Sequence, residues 1–365
     1  MQALQVLGPS TGGIRVHVAT LAAELERLGV SAPVVGPARV MDGLGPQAAH
    51  VEVPTGMSPS SLLRARRALR PWRSGSEVVH AHGLKAAWVS LHGRPSRPLV
   101  VTVHNIVLDE SAGRAARLQR RLERFVLSRA DRVIAPSAAI AAGLATTVRS
   151  ERLATIVPAS PIPALARTRR EIRDVIGVGD DTPLVTCVAR LHPQKDIPTL
   201  LHAFAQALEH CGDAHLVVVG DGPDRADVEA LVGSLGISES VHLVGFDAHA
   251  VDWIGAGDVF ALSSVWEAIP LVMAEALQLG VPVVSTAVGM APELLDDGRA
   301  GTVVDVGDID GLAGGLVRFL TDPAERSRAG SFGREFASNR FDPVALSAEV
   351  LGVYEDLVGP LEAVR

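Results

Sequence analysis

Short apolar runs alternate with helix-period stretches along almost the whole chain, and this alternation restricts the fold more than any single residue does. In the first half, Ala3–Leu7, Ala32–Val35, Val78–His80, Val100–Val103, Arg132–Ala135 and Thr155–Val157 are predicted strands, with helices such as His17–Leu28 and Ala112–Arg129 between them. A strand, a helix and a second strand pair in parallel through a right-handed crossover, which places helices on both faces of one sheet. The second half repeats the pattern. Strands are predicted at Leu184–Ala189, His215–Val219, Val241–Val244, Val259–Leu262, Val281–Ser285 and Gly301–Val303, and helices at Ile197–His210, Arg225–Leu235, Leu271–Gln278 and Asp310–Leu320. A chain of 365 residues suits about two domains. The stretch 157–166 carries Pro158, Pro161 and Pro163 and reads as a stiff connector. The expected fold class is therefore α/β, with two Rossmann-like doubly wound domains facing across a cleft, residues 1–165 and 166–340. Residues 341–365 are helical in pattern and are expected to pack back on the first domain. Ligands of such sheets bind at the carboxyl ends of the strands.

The net charge of −7 hides an asymmetry. Residues 1–170 hold 23 Lys and Arg against 10 Asp and Glu, or +13, whereas residues 171–365 hold 11 against 31, or −20. Two domains with different electrostatic duties are implied, and a nucleic-acid binder, which needs an overall basic footprint, is disfavoured. Lysine occurs only at Lys85 and Lys195 among 34 cationic residues, so a compact ammonium at those positions points to a chemical requirement. Cys187 and Cys211 form no CxxC pattern, which argues against a structural metal site. The opening MQALQVLG lacks a basic segment followed by a long apolar run, and no stretch of about 18 apolar residues occurs, so neither a signal peptide nor a membrane span is expected. The expected location is the cytoplasm.

Three loops carry most of the candidate chemistry. Gly8-Pro-Ser-Thr-Gly-Gly13 follows the first strand and opens a helix, where glycine lets the backbone approach a ligand and free N–H groups face an anion. It matches neither standard nucleotide fingerprint; it does spell a nucleophile-elbow pattern around Ser10, and a plain tight turn would also fit. Arg190-Leu-His-Pro-Gln-Lys195 places a guanidinium fork and an ammonium five residues apart across a proline turn, a pairing suited to a diphosphate. Glu267-Ala-Ile-Pro270-Leu-Val-Met-Ala-Glu275 puts one carboxylate before a helix and one inside it, with the amides of Leu271 and Val272 offered at the helix N-terminus. Glu275 lies among apolar neighbours, so burial with hydrogen-bond partners is expected of it.

Other features are more ambiguous. His80-Ala-His82 resembles half of a metal site with nothing spaced to complete it, and a core role suits His80. His104 ends a strand and is the better candidate for ligand contact. Asp308-Ile-Asp310 precedes a helix and reads as capping rather than as a metal motif. Arginines cluster at 64, 66, 67, 70 and 73, and at 114, 117, 120, 121 and 124, the second set at helical spacing with Leu118, Leu122 and Phe125. Such a helix can rest on an anionic membrane, steer an anionic acceptor or simply be solvated.

Taken together, these elements resemble the retaining glycosyltransferases of family 4, with the GT-B fold. The resemblance rests on Gly12-Gly13, His80-Ala-His82-Gly83, Thr102-Val-His104, Arg190 with Lys195, Gly220-Asp-Gly-Pro223, Asp258-Val-Phe, the Glu267…Glu275 EX7E pair and Gly280-Val-Pro-Val-Val284. It implies that Gly12 and Gly13 approach a donor diphosphate bound by Arg190 and Lys195, that Glu275 holds the ribose, and that Glu267 holds the donor sugar with His104 facing it. It also implies that Gly245-Phe246 lies on the nucleobase side. Pro158-Ala-Ser160 replaces the usual Pro-Asn-Gly, Ala189 a glycine, and Met290 follows Gly289 where a second glycine is common, which bears on substrate detail rather than fold.

The function implied is transfer of a sugar from a nucleotide-diphospho-sugar to an acceptor, anionic or lipid-linked, with retention and without a metal or other cofactor. The donor is the expected partner, together with peripheral contact of the Arg-rich domain with the inner face of an anionic membrane and no nucleic acid. The alternatives are a nucleotide-sugar epimerase or hydrolase of the same fold, a non-catalytic sugar-nucleotide binder and, last, a Ser10 hydrolase.

Overall fold

The computed structural model describes residues 1–9, 13–41, 44, 48–54, 58–91, 97–104, 114–267, 269–295 and 298–361, the side chains of 59 and 114–120 excepted. The chain divides into two compact units: Met1–Pro161 with Phe341–Arg365, and Ile162–Arg340. The division falls four residues before the 165/166 boundary expected from sequence. Leu165 lies against Gly255 and the Ala166 amide donates to Asp252 at 2.9 Å, contacts that tie the end of the proline connector to the second unit.

The first unit is built on a parallel seven-stranded sheet. Its strands are β1 (Ala3–Leu7), β2 (Val34–Gly36), β3 (Ala48–His50), β4 (Val78–His82), β5 (Leu99–Thr102), β6 (Arg132–Ala135) and β7 (Leu153–Thr155). Their order across the sheet is 3-2-1-4-5-6-7. Helices α1 (Gly13–Arg27), α2 (Pro59–Ser74), α3 (Leu84–Ser90), α4 (Arg114–Arg129) and α5 (Ala138–Leu144) supply the connections. β1 and β4 are fully buried, as strands covered on both faces must be.

Two elements escaped the sequence pattern. β3 is a half-exposed Ala-Ala-His edge strand without an apolar run. α2 carries five arginines in its 16 residues, with Ala65 and Leu69 buried on its inner side. β2 begins at Val34 rather than Ala32, because Pro33 has no amide for the ladder and contributes only its carbonyl, which accepts from the Gln5 amide at 2.9 Å.

The second unit repeats the plan. It holds α6 (Arg169–Val175), β8 (Leu184–Val188), α7 (Ile197–Leu208), β9 (His215–Val219), α8 (Arg225–Ser234), β10 (Val241–Gly245), α9 (Ala250–Ala256), β11 (Val259–Leu262) and α10 (Leu271–Gln278). It continues through β12 (Val283–Thr286), α11 (Ala291–Leu295), β13 (Gly301–Val304), α12 (Ile309–Thr321) and α13 (Pro323–Arg340). Six parallel strands are ordered 10-9-8-11-12-13. Strand order thus reverses between β1 and β4 in one unit and between β8 and β11 in the other.

The C-terminal helix α14 (Pro343–Val358) belongs to the first unit. Asp342 caps it by accepting from the Val344 and Ala345 amides. Its Tyr354 is fully buried, with the hydroxyl 2.7 Å from His80 Nδ1 and accepting from Gln5 Nε2 at 3.2 Å.

One buried charge network fastens the second unit. Arg173, on α6, is fully buried and donates to Asp258 Oδ2 at 2.8 Å and to the carbonyls of Gly179, Thr182 and Ala256. Arg169, one turn earlier, holds Asp258 Oδ1 at 2.8 Å, and the Leu184 amide closes the set at 2.9 Å. The aspartate of the Asp258-Val-Phe motif therefore anchors α6 to the starts of β8 and β11. Removing one member of a buried ion pair leaves the other uncompensated, at a cost of about 3–5 kcal/mol. Asp258→Ala is expected to lose stability on that scale in urea unfolding of the second unit; a change within experimental error would show that Arg173 regains water.

Candidate active site

In the second unit, the loop after β8 and the loop after β11 meet at the reversal of strand order. Gly220 and Gly222 make the first loop possible. A Cβ at Gly220, whose φ is 142°, would sit 1.9 Å from the Ala189 carbonyl oxygen, and one at Gly222 would sit 2.1 Å from that of Leu191. Backbone packs on backbone there, with Ala189 donating to Val219 at 3.0 Å and Leu191 to Asp221 at 3.1 Å. The Gly220-Asp-Gly-Pro223 motif is thus a clamp on the segment carrying Arg190 and Lys195.

That segment turns through the 3₁₀ helix Pro193–Lys195 into Asp196, the only non-glycine residue with positive φ (45°) among the described residues. Asp196 accepts the strain because it caps α7, its carboxylate receiving the Thr199 hydroxyl at 2.7 Å. The loop after β11 is stitched to the same turn. Ser263 donates to the carbonyls of Lys195 and Asp196 at 2.9 Å, Gln194 Nε2 to Trp266 O at 2.8 Å, and the Val265 amide to Gln194 O at 2.9 Å. These bonds hold the Lys195 ammonium against Glu267 Oε1, which also accepts from Ser264 at 2.9 Å. Lys195 and Glu267 are both largely buried, so the pair is shielded and fixed. Arg190, at the start of the loop, is exposed and has no ion-pair partner among the described residues.

α10 follows directly. Its cap, Pro270, offers no side-chain hydrogen bond. The Leu271 amide, expected to be free for an anion, donates instead to Ile269 O at 3.0 Å in a tight turn. The Val272 amide has no backbone acceptor among the described residues, which do not include Ala268 four residues before it, and the helix dipole is directed at this end. Glu275 is half-buried, and burial among Met273, Ala274, Ala276 and Leu277 holds its carboxyl up at about 7. The hydrogen-bond partners expected for it are absent among the described residues, which leaves its acceptor capacity unused. Gly245 ends β10 at φ 77° across a register shift, and the ring of Phe246 beside it is 81% exposed. An aromatic ring so exposed on a fixed turn can stack on a planar base.

In the first unit, Gly13 opens α1 just after β1, while Gly12 and Ser10 lie outside the described residues. His104, beyond the end of β5, is only 8% exposed, and its Nε2 lies 3.4 Å from His82 Nδ1. Burial, reinforced by the neighbouring imidazoles, keeps His104 and His82 uncharged well below the usual histidine range. His80 is a core residue, held between Tyr354 and the Thr102 hydroxyl at 2.7 Å.

The two lysines part company: Lys85 is exposed on α3 and joins no ion pair among the described residues, whereas Lys195 is paired with Glu267. Asp308 caps α12 through the Gly311 amide at 2.9 Å. Two participants went unread in the sequence. Ser264 stands three residues before Glu267, a hydroxyl at a strand end. His17 lies on the apolar face of α1 with Val18, Leu21 and Leu25, and a histidine at that period was its available signal.

With this geometry in hand, the comparisons with known proteins agree along the chain. A family model described as glycosyl transferases group 1 matches residues 168–336, and one described as glycosyltransferase family 4 matches residues 11–159. The chain is 28% identical over 317 residues to an alpha-D-kanosaminyltransferase of Streptomyces kanamyceticus, covering 81% of each. It is 30% identical over 303 residues to a D-inositol 3-phosphate glycosyltransferase of Xylanimonas cellulosilytica, covering 76% of this chain and 71% of the relative. Among solved structures, Anabaena Alr3699/HepE in complex with UDP-glucose is similar with a TM-score of 0.83 at 23% identity, covering 98% of this chain and 100% of that one. That likeness is one of fold, the two-domain GT-B architecture.

Glu275 supplies a test of the site's polarity. Its carboxyl is raised from 4.5 to about 7, so the folded state favours the protonated form. As pH rises from 4.5 through 7 the unfolded chain ionises first, and the native state loses stability. Glu275→Gln is expected to raise the melting temperature near pH 8 and to leave it unchanged near pH 4. An equal shift at both would show that the carboxyl is not held protonated.

Proposed function

Because the chain belongs to the family 4 glycosyltransferases, we propose that it transfers a sugar from a nucleotide-diphospho-sugar to an acceptor with retention of the anomeric configuration, using side-chain cations rather than a divalent metal at the diphosphate. The observation that carries this reading is the fixed Lys195–Glu267 pair at the end of β8 and β11. In this scheme the diphosphate lies on Lys195, Arg190 and the Val272 end of α10, where negative charge develops on the leaving group as the sugar departs. Glu267, released from part of its hold on Lys195, accepts from hydroxyls of the donor sugar. Glu275 accepts from the ribose, whose hydroxyls supply the partners the carboxylate lacks. Phe246 stacks on the base. A front-side departure of the nucleotide, with the acceptor entering on the same face, gives retention without a covalent intermediate.

The acceptor side is assigned to the first unit. Arg64, Arg67 and Arg70 on α2 and Arg121 and Arg124 on α4 are exposed, with Leu63 and Phe125 exposed among them. That mixture suits an anionic acceptor or an anionic lipid surface. Among the described residues no helix is long and apolar enough to cross a membrane, so such contact would be peripheral. Reversing Arg121 and Arg124 to glutamate is expected to lower cosedimentation with anionic vesicles but not with neutral ones; unchanged partition would leave the cluster a solvated face.

Lys195→Ala is the direct test of the donor site. Losing one preorganised donor to a developing charge costs about 10²–10³ in turnover. The variant is expected to keep its circular dichroism, with a lower unfolding midpoint because Glu267 loses its buried partner, while single-turnover transfer falls on that scale; undiminished transfer in the folded variant would remove the role. A thermal-shift series with UDP, GDP and ADP and their sugars identifies the base, since a ligand of the native state raises the melting temperature by mass action.

A further inference from the structure

Three imidazoles converge in the first unit in a way that their hydrogen bonds do not explain. His17 on α1, His82 at the end of β4 and His104 beyond β5 form a nearly equilateral triangle, with ring centroids 5.8, 5.7 and 5.7 Å apart. Their facing nitrogens all lie within 4.8 Å of one another, and all three side chains are buried. The protonation of two of them is fixed from outside. Gln5 Nε2 donates to Ala3 O at 3.0 Å and to the Tyr354 hydroxyl at 3.2 Å, so Gln5 Oε1 faces His82 Nε2 at 3.0 Å as an acceptor. His82 must therefore carry its proton on Nε2 and present a bare lone pair at Nδ1. His17 donates to the Ala159 carbonyl, and its Nδ1 is buried without a partner among the described residues. That donation therefore uses Nε2, and a second bare Nδ1 faces inward.

A hydrogen-bonded cluster accounts poorly for this. It would place the His104 Nε2 proton on His82 Nδ1 across 3.4 Å, longer than the usual range of about 2.7–3.2 Å. It would also leave His17 Nδ1 with no partner among the described residues. A bound cation accounts for both. With metal–nitrogen bonds of about 2.0–2.1 Å, neighbouring ligand nitrogens of a tetrahedron stand roughly 3.3–3.4 Å apart. The His82–His104 edge already has that length, and the edges to His17 lie within 4.8 Å.

We propose that His17 Nδ1, His82 Nδ1 and His104 Nε2 form a three-histidine site for a late first-row divalent cation such as Zn²⁺ or Co²⁺, with the fourth position open to water or a small anion. The outer hydrogen bonds support it, because ligating histidines characteristically donate their second N–H to a carbonyl or amide oxygen that orients the ring. The cluster is all nitrogen, which favours borderline metals over Mg²⁺ or Ca²⁺.

The test needs no turnover. Protein dialysed against a chelator and titrated with Co²⁺ is expected to develop the intense visible bands of four-coordinate cobalt, saturating at one equivalent. Gln5→Leu, which frees the His82 ring, is expected to weaken binding about 10–100-fold, and His17→Ala to abolish the bands while circular dichroism stays native. In wild-type protein, Zn²⁺ is expected to shift the imidazole ¹⁵N resonances of two Nδ1 atoms and one Nε2 atom, a readout independent of any variant's folding. Absence of the bands with unshifted resonances, or bands unchanged in folded His17→Ala, overturns the site. A protein that shows the cobalt bands but no transfer would refute only the catalytic reading; an active transferase without the bands would refute this site alone.

Discussion

Everything chemical in this chain depends on one constraint: in each unit a parallel sheet reverses its strand order once. β1 lies beside β4, and β8 beside β11, with no direct connection between the members of either pair. The segments leaving neighbouring strand ends there run to opposite faces of the sheet, and a crevice opens between them. The candidate-site residues distant in sequence meet beside these reversals. Lys195 and Glu267 are 72 positions apart and pair because their loops leave β8 and β11. His82 and His104 leave β4 and β5, and α1 returns His17 to them from the end of β1. The glycine clamp at 220 and 222 belongs to the same constraint, since side chains at those points would force β8 and β9 apart at their carboxyl ends.

The charge asymmetry looks different once the pairs are placed. The acidic second half does not present a uniform negative field to an anionic donor. Asp258 is consumed by Arg169 and Arg173, and Glu267 by Lys195. Burial raises the Glu275 carboxyl to about 7, so its charge is reduced near neutral pH. In the candidate donor site Glu267 is thus compensated and Glu275 partly protonated, and the Arg190 guanidinium has no ion-pair partner among the described residues. Net charge described the half; it did not describe the site.

The strand–helix alternation revealed the architecture because buried parallel strands are continuous apolar runs that no surface element imitates. Strands such as Ala3–Leu7, His215–Val219 and Val259–Leu262 fall where the pattern put them. β3 and α2 were illegible for the opposite reason: each is half-solvated and takes its place from its neighbours rather than from its own hydrophobicity. In the candidate site, Lys195 and the two glutamates stood out by type and spacing, but the partners that give them geometry did not. Ser264, Gln194 and Asp196 act through backbone turns that depend on the sheet reversal, and the left-handed conformation of Asp196 has no sequence signature beyond a capping residue. The Leu271 amide was misread because the spacing after Pro270 marked a helix start without showing that the tight turn occupies its first donor.

Both candidate sites share a further property: each keeps its polar groups uncharged or internally paired until something arrives. The Lys195 ammonium and Glu267 carboxylate hold each other, and a diphosphate must compete with that carboxylate for the ammonium. Such competition favours a ligand that offers two things together, an anion for the lysine and hydroxyl donors for the released glutamate. Inorganic diphosphate supplies only the first and a free sugar only the second. A molecule joining them replaces both halves of the pair in one event, so each half is exchanged without leaving its partner as an uncompensated buried charge. Preference for a joined donor over its separated parts is in this way a property of the ion pair, and it would persist whichever base Phe246 accepts.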